Sequence, residues 1–262
     1  MPSDTGTLVE TLLTPPVVME RPLALFLDMD GVLAPMAPTP DAVLADPRRT
    51  AVLTRLDQAL DGRMAIVSGR TLGEIDRIAG GASPSAAGVH GLERRRRDGA
   101  VDRPKASPGV AQALAAFRRF AADRPGVIVE DKAISAGLHY RQSPASADEA
   151  LVLARELAET TGLMLQPGHM VLELRTPGSD KGTAVTAFMA EPPFAGALPV
   201  MLGDDLTDEA GFRAAVALGG FGVLVGPQRA TSARYGLRDV PAVMDWLEAV
   251  ASEVSGKWLV GQ

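Results

Sequence analysis

The sequence predicts an α/β protein, a Rossmann-like, doubly wound core interrupted by a smaller α+β unit. Three observations carry this reading. Short apolar runs bounded by turn residues alternate with helix-period patterns toward both ends of the chain, the alternation breaks down in the middle, and carboxylates gather where the apolar runs stop. Strands alternating with helices build a parallel sheet covered on both faces. In such sheets ligands sit outside the carboxyl ends of the strands.

Residues 1–20, with Pro15 and Pro16, read as a loose lead-in to the first strand. Asp4 and Glu10 stand where a secretory signal would carry a basic start and an apolar block. No apolar stretch approaches the roughly 20 residues that span a bilayer. Four apolar runs read as buried parallel strands: Leu23–Leu27, Arg63–Val67, Leu198–Leu202 and Phe221–Val225. A helix is predicted over Asp46–Leu60, where Asp46 suits the N-cap and Pro47 the first turn, and Val52, Leu53, Leu56 and Leu60 form one stripe.

The core is therefore assigned to residues 21–104 and 176–262, and the inserted unit to 105–175. Within the insert the pattern is a helix (Val110–Ala122), two alternating strands around Val127–Ile134 and Ala136–Arg141, a helix (Ser146–Thr161) and a strand near Met170–Arg175. On that last strand His169, Val171, Glu173 and Arg175 share one face, and Met170, Leu172 and Leu174 the other. Glu130 pairs in the same way with Lys132, and His139 with Arg141. The insert should thus have one charged sheet face and one face covered by its two helices; such a charged face is ordinarily the solvated one. Trp246 and Trp258, in or after a helical segment Val240–Val254, read as packing residues.

Of 262 residues, 46% are apolar and 4% aromatic, enough for a packed core. Thirty-two acidic against 26 basic residues give a net charge of -6, which disfavours duplex nucleic acid as the main partner. The chain has no cysteine, so thiol catalysis and Cys-ligated zinc are excluded, leaving acid–base and metal–oxygen chemistry. The run Arg94–Arg97, followed by Asp98-Gly99, reads as a solvated hairpin end. The expectation is a soluble, cytoplasmic monomer acting on a small molecule.

Asp28-Met29-Asp30-Gly31-Val32 directly follows the first apolar run and puts two carboxylates where a buried strand surfaces. That is where a phosphoryl-transfer nucleophile belongs, although an ordinary strand-to-turn Asp-Gly has the same appearance. Ser68-Gly69-Arg70 follows the second run; its hydroxyl and amides can hold phosphoryl oxygens, or simply cap the next helix. Lys181 opens a helix running to about Met189, where its ammonium can neutralise a phosphoryl group or merely face solvent. Gly203-Asp204-Asp205-Leu206-Thr207-Asp208-Glu209 adds four carboxylates at the end of the third run. With Asp28 and Asp30 they form a hard oxygen-ligand set suited to Mg²⁺. Asp208 and Glu209 can also be read as a helix start.

The ordered set DxDG, SGR, K-G and GDDxTDE resembles the haloacid dehalogenase superfamily of phosphohydrolases, and within it the trehalose-6-phosphate phosphatase family. The closer resemblance rests on Asp28–Pro35, Gly88–Glu93, Glu130-Asp131-Lys132, His139-Tyr140-Arg141 and Glu173-Leu174-Arg175 ahead of Lys181-Gly182. It implies that Asp28 attacks phosphorus, that Asp30 serves as acid and then base, and that Ser68 and Lys181 hold phosphoryl oxygens. Mg²⁺ would be held by Asp28, by Asp30 through its backbone carbonyl, and by Asp204, with Asp205 and Asp208 supporting, and the insert would be a cap. For a sugar phosphate substrate it implies contacts from Ser68, Gly69, Arg70, His90, Gly91, Glu93, Glu130, Lys132, His139, Arg141, His169 and Glu173. His169 stands where family members often carry lysine. Coupling to a trehalose-phosphate synthase is a further implication. A phosphatase or phosphomutase acting on another sugar phosphate, such as sucrose 6-phosphate, is the alternative.

Overall fold

The computed structural model describes residues 12–259, with side chains described through Ser255. Asp4 and Glu10, and the side chain of Trp258, therefore lie outside the described residues. β1 (Leu23–Leu27), β2 (Met64–Val67), β10 (Leu198–Gly203) and β11 (Phe221–Val225) occupy the four predicted apolar runs. All four are buried on both faces, as parallel strands between helix layers must be. The sheet order is β12-β11-β10-β1-β2-β3-β4-β5, with β3 (Ser85–Gly88), β4 (Glu93–Arg95), β5 (Val101–Asp102) and β12 (Tyr235–Leu237) completing it. Pairing is parallel from β12 to β3 and antiparallel through the β4–β5 hairpin.

From β1 the chain winds outward through β2 and β3, then returns to the other side of β1 at β10 and winds outward again. The order therefore reverses between β1 and β10, and their carboxyl ends open the crevice in which such sheets bind ligands. α1 (Pro47–Ala59), α2 (Leu72–Ala79) and α7 (Val240–Leu259) cover one face; α5 (Lys181–Met189) and α6 (Glu209–Ala217) cover the other. α1 starts as the sequence predicts, with the Asp46 carboxylate accepting from the amide of Arg49 and Pro47 in the first turn. Trp246 packs in the α1–α7 layer and donates to Pro15 O, while Leu13 bridges to Tyr235. The described part of the lead-in is thus tied to the core rather than loose.

Residues 108–175 form a second sheet, ordered β6-β7-β9-β8 and antiparallel throughout, with α3 (Pro108–Ala122) and α4 (Ala147–Thr161) on one face. β6 is Ile128–Asp131, β7 Ser135–His139, β8 Met164–Gly168 and β9 Val171–Arg175. Leu172 and Leu174 point into the helix layer, and Glu173 points away from it, as the alternation requires. His169 and Met170 are not on the strand: they form the β8–β9 turn, with Met170 in the left-handed region at φ 62°. Lys132 likewise lies in the β6–β7 connection.

β3, β8, β12 and α2 are absent from the sequence reading. β8 ends in Pro167-Gly168, which obscures a strand in the interior of a sheet but is compatible with its edge. α2 carries a legible signature, the Thr71/Glu74 capping box. The arginine run does form a hairpin, but each arginine has a carboxylate partner: Arg94 with Asp102 and Glu191, Arg95 with Asp76, Arg96 with Asp102 and Arg97 with Asp57. Among the described residues no helix is long and apolar enough to cross a membrane.

β1 holds its place through Phe26, which is fully buried and stacks on Phe194 at 5.5 Å and against Phe188 at 6.1 Å. Phe26→Ala should cost about 3–5 kcal/mol of unfolding free energy. Urea denaturation would check this; a loss below about 1 kcal/mol would mean that the ring cluster does not fix β1.

Candidate active site

Asp28 leaves β1 and Asp204 follows β10, so parallel pairing of the two strands sets their carboxylates side by side at the switch point. Gly31 makes this approach feasible. Its φ of +76° suits glycine, and a Cβ there would stand 2.1 Å from Asp204 Oδ2. Lys181, the first residue of α5, enters from the opposite face, and its Nζ lies 3.0 Å from Asp28 Oδ2 and 2.7 Å from Asp208 Oδ1. Lys181 is 2% exposed, which removes the solvent-facing alternative and leaves a buried ion pair.

Asp28, Asp204 and Asp208 each bring one carboxylate oxygen within 4.8 Å of the others. Asp208 is already committed: Oδ1 accepts from Lys181 and Oδ2 from the amides of Asp204 and Asp205. Asp28 Oδ1, by contrast, is buried and has no hydrogen-bond partner among the described residues. An all-oxygen set with an orphaned carboxylate oxygen fits a hard divalent cation, with Asp28 and Asp204 as the side chains able to hold it. Asp208 instead holds Lys181 and the loop. Asp205 caps the turn Leu206–Asp208, accepting from Thr207.

The Asp30 carboxylate is not in this cluster. It accepts from Arg70 Nε at 2.7 Å and Nη2 at 2.8 Å, and Arg70 Nη1 donates to Glu74. Ser68 is 1% exposed and its hydroxyl accepts from the Arg70 amide; the helix cap is Thr71, which leaves Ser68 outside the capping role.

Electrostatics follow the geometry. Burial pushes the Asp28 carboxyl well above its ordinary value; Lys181 opposes this, and Asp208, Asp204 and Asp205 reinforce it. Burial together with Asp208 and Asp205 raises Asp204 to about 7. Burial alone would lower Lys181, but Asp208, Asp28 and Asp205 outweigh it and raise it above its ordinary value.

The α+β unit stands over this cluster, and between them lies a half-open cavity of about 360 Å³. Asp28, Asp30, Ser68, Gly69, Arg70, Lys181, Asp204 and Asp205 line its floor. His90, Glu130, Lys132, His139, Arg141, His169 and Glu173 surround the upper part. Lys132 Nζ reaches Glu173 at 2.8 Å and Gly69 O at 2.9 Å, while Glu130 accepts from His139 at 2.7 Å. Glu173 is fully buried; burial would raise it, but Lys132 and His90 outweigh burial and hold it below the usual carboxylate range. Removing one partner of such a pair leaves an uncompensated buried charge, costing about 3–5 kcal/mol.

Two predicted substrate residues, Gly91 and Glu93, do not line the cavity. Gly91 has φ +95° and packs where a Cβ would meet Asp180 O at 2.5 Å; Glu93 accepts from the Leu72 amide and pairs with Arg103. Arg141 does line the cavity, but its guanidinium is engaged by Ala37 O and His169 O. Val89 and His90 both have positive φ, at 47° and 54°. Each costs about 1–3 kcal/mol of strain, the kind of outlier found at functional sites.

The sequence reading omitted Met36–Thr39, Glu74, Gln166, Gly168, Val171 and Thr207, which also line the cavity. Glu74 was accessible through its capping box and Gln166 through recognition of β8. Nothing local marks Met36–Thr39, which only the closure of the second sheet brings over the site.

Against this geometry, the trehalose-phosphatase family model matches residues 26–241, spanning both sheets and every residue of the cluster. The chain belongs to the trehalose-phosphatase family. Among relatives of this family, it is 39% identical over 236 residues to the trehalose-6-phosphate phosphatase of Escherichia coli (strain K12), covering 89% of this chain and 88% of that one. It is 40% identical over 206 residues to a probable trehalose-phosphate phosphatase of Sinorhizobium fredii, covering 78% of each. The C-terminal domain of Candida albicans trehalose-6-phosphate phosphatase superposes with a TM-score of 0.79 over 89% of this chain and 93% of that one, at 21% identity. That last likeness establishes the fold, a doubly wound core with an inserted α+β unit. The chain is thus a phosphatase of the trehalose-phosphatase family.

The raised Asp204 makes a testable link between pH and cation binding. Unfolded, it titrates near 3.8, and folded near 7. Between those values the folded state keeps a proton that the unfolded state has lost, so stability falls as pH rises through this window and stays low above it. A divalent cation replaces that proton. The rise in Tm on adding Mg²⁺ should therefore be larger at about pH 8 than at about pH 5 by differential scanning fluorimetry; equal rises would contradict the assignment of Asp204.

Proposed function

We propose that this chain hydrolyses trehalose 6-phosphate to trehalose and phosphate, with Mg²⁺ as cofactor and an aspartyl-phosphate on Asp28 as intermediate. The observation carrying this reading is that one cavity joins two chemically different halves. Asp28, Lys181 and Ser68 make a phosphoryl-sized floor, and Glu130, Lys132, His139 and Glu173 supply a roof of hydrogen-bonding groups suited to sugar hydroxyls. The E. coli relative, similar along 89% of the chain, is named for that substrate.

Asp28 attacks phosphorus in line through a carboxylate oxygen, forming the Asp28–phosphorus bond as the bond to the sugar oxygen breaks. Asp30 delivers a proton to the departing sugar oxygen and later removes one from the water that hydrolyses the acyl phosphate. Lys181 neutralises charge on the phosphoryl oxygens, and the Ser68 hydroxyl holds one of them. Bound between Asp28 and Asp204, Mg²⁺ would offset the repulsion between the nucleophile and its anionic substrate.

Asp30 has a constraint of its own. As a carboxylate it is held bidentately by Arg70. To donate a proton it must turn from that guanidinium toward the leaving oxygen, so acid catalysis and the Arg70 pairing alternate rather than coexist.

Phosphate release from trehalose 6-phosphate with Mg²⁺ should exceed that from sucrose 6-phosphate or glucose 6-phosphate, and equal or faster turnover of either would overturn the substrate. Asp28→Asn should lower kcat by on the order of 10³-fold or more. Unchanged turnover in that variant would remove Asp28 as nucleophile.

A further inference from the structure

Arg175 is a buried cation that the proposed reaction does not use. It is 2% exposed, and within salt-bridge distance no carboxylate faces it among the described residues. Its guanidinium donates instead to Ser179 O and to Met164 Sδ, leaving Nε without a partner. Burying a guanidinium against carbonyl and thioether acceptors is costly, so its position calls for a function beyond packing. Ser179 is in the connection that runs from β9 to α5, two residues before Lys181. The Ser179 hydroxyl donates to Gly91 O at 2.9 Å and meets Thr183 Oγ1 at 2.7 Å, and Asp180 caps α5 through the Thr183 amide.

Glu173 and Arg175 are two residues apart on one face of β9, and both reach the core. Glu173 Oε2 lies 3.6 Å from His90 Nε2; Arg175 holds Ser179, whose hydroxyl holds Gly91. The strained Val89–Gly91 turn and the start of α5 are thus gripped by one cap strand at two points.

We propose that Arg175 is a positioning residue that couples the cap to Lys181. Resting on the function proposed above, it makes seating of the sugar beneath the cap set the backbone from which Lys181 meets the phosphoryl group. Arg175 does not touch the substrate. Its role predicts that the two halves of the cavity keep working separately when it is replaced, and fail to work together.

Arg175→Lys keeps the charge but loses the planar reach to Ser179 O. With trehalose 6-phosphate its kcat should fall at least about tenfold while KM stays within about threefold. With para-nitrophenyl phosphate, which is too small to engage the cap, kcat should change by less than about twofold. Ser179→Ala, which cuts the link to Gly91 and is only partly buried, should show the same pattern more weakly. Amide hydrogen exchange over 176–184 should quicken in Arg175→Lys, with β1 and β10 unchanged. Equal losses on both substrates, no loss on either, or unaltered exchange over 176–184 would overturn the coupling. If the wild-type enzyme hydrolyses para-nitrophenyl phosphate but not trehalose 6-phosphate, the substrate reading fails. The exchange measurement still decides the role of Arg175. Should Arg175→Lys not fold, Ser179→Ala carries the same kinetic and exchange tests.

Discussion

The Lys181 ammonium between Asp28 and Asp208 is the interaction on which the rest of the site depends. It is a buried cation, 2% exposed, in contact with one carboxylate from the end of β1 and another from the loop after β10. A buried charge without partners would cost several kcal/mol, so the three segments can be assembled only together. Lys181 comes from α5 on one face of the sheet, while the carboxylates come from its strand ends. The ion pairs therefore bind a helix layer to the switch point and leave Asp28 Oδ1 buried and without a hydrogen-bond partner among the described residues.

Charge balance accounts for the chemistry of this floor. Three carboxylates lie within 4.8 Å of one another beside one ammonium; burial first, and then the neighbouring carboxylates, raise the proton affinity of Asp28 and Asp204. The surplus of negative charge at this floor would repel an anionic substrate. A divalent cation resolves both problems. In the roof each carboxylate has a partner: Lys132 is shared by Glu173 and Glu130, and His139 pairs with Glu130. A floor demanding a cation beneath a paired polar roof suits a substrate that is anionic at one end and hydroxylated at the other.

An apolar cluster of Ile134 with Val89 and Leu92 and a set of polar contacts join the α+β unit to the core. Lys132 to Gly69 O, Glu173 to His90, Arg141 to Ala37 O and Arg175 to Ser179 O each join the α+β unit to the core. Three of the four involve backbone oxygens. Backbone acceptors fix geometry without adding a second charge.

The sequence alone determined which residues make the floor and where four of the core strands lie. Asp28, Asp30, Ser68, Lys181 and Asp204 each sit where an apolar run ends or a helix begins, and a parallel sheet sends such positions to one edge. Strand alternation likewise separated Glu173 from Leu172 and Leu174. Tertiary structure decided the rest, because those outcomes depend on partners remote in sequence. Asp30 turns to Arg70, forty residues on, and Asp208 spends its oxygens on Lys181 and two amides. Gly91 and Glu93 leave the cavity for structural partners, while Met36–Thr39 enter it only when the second sheet closes above them. Periodicity records which face a side chain occupies; what it touches there is settled by packing between elements that the chain brings together from far apart.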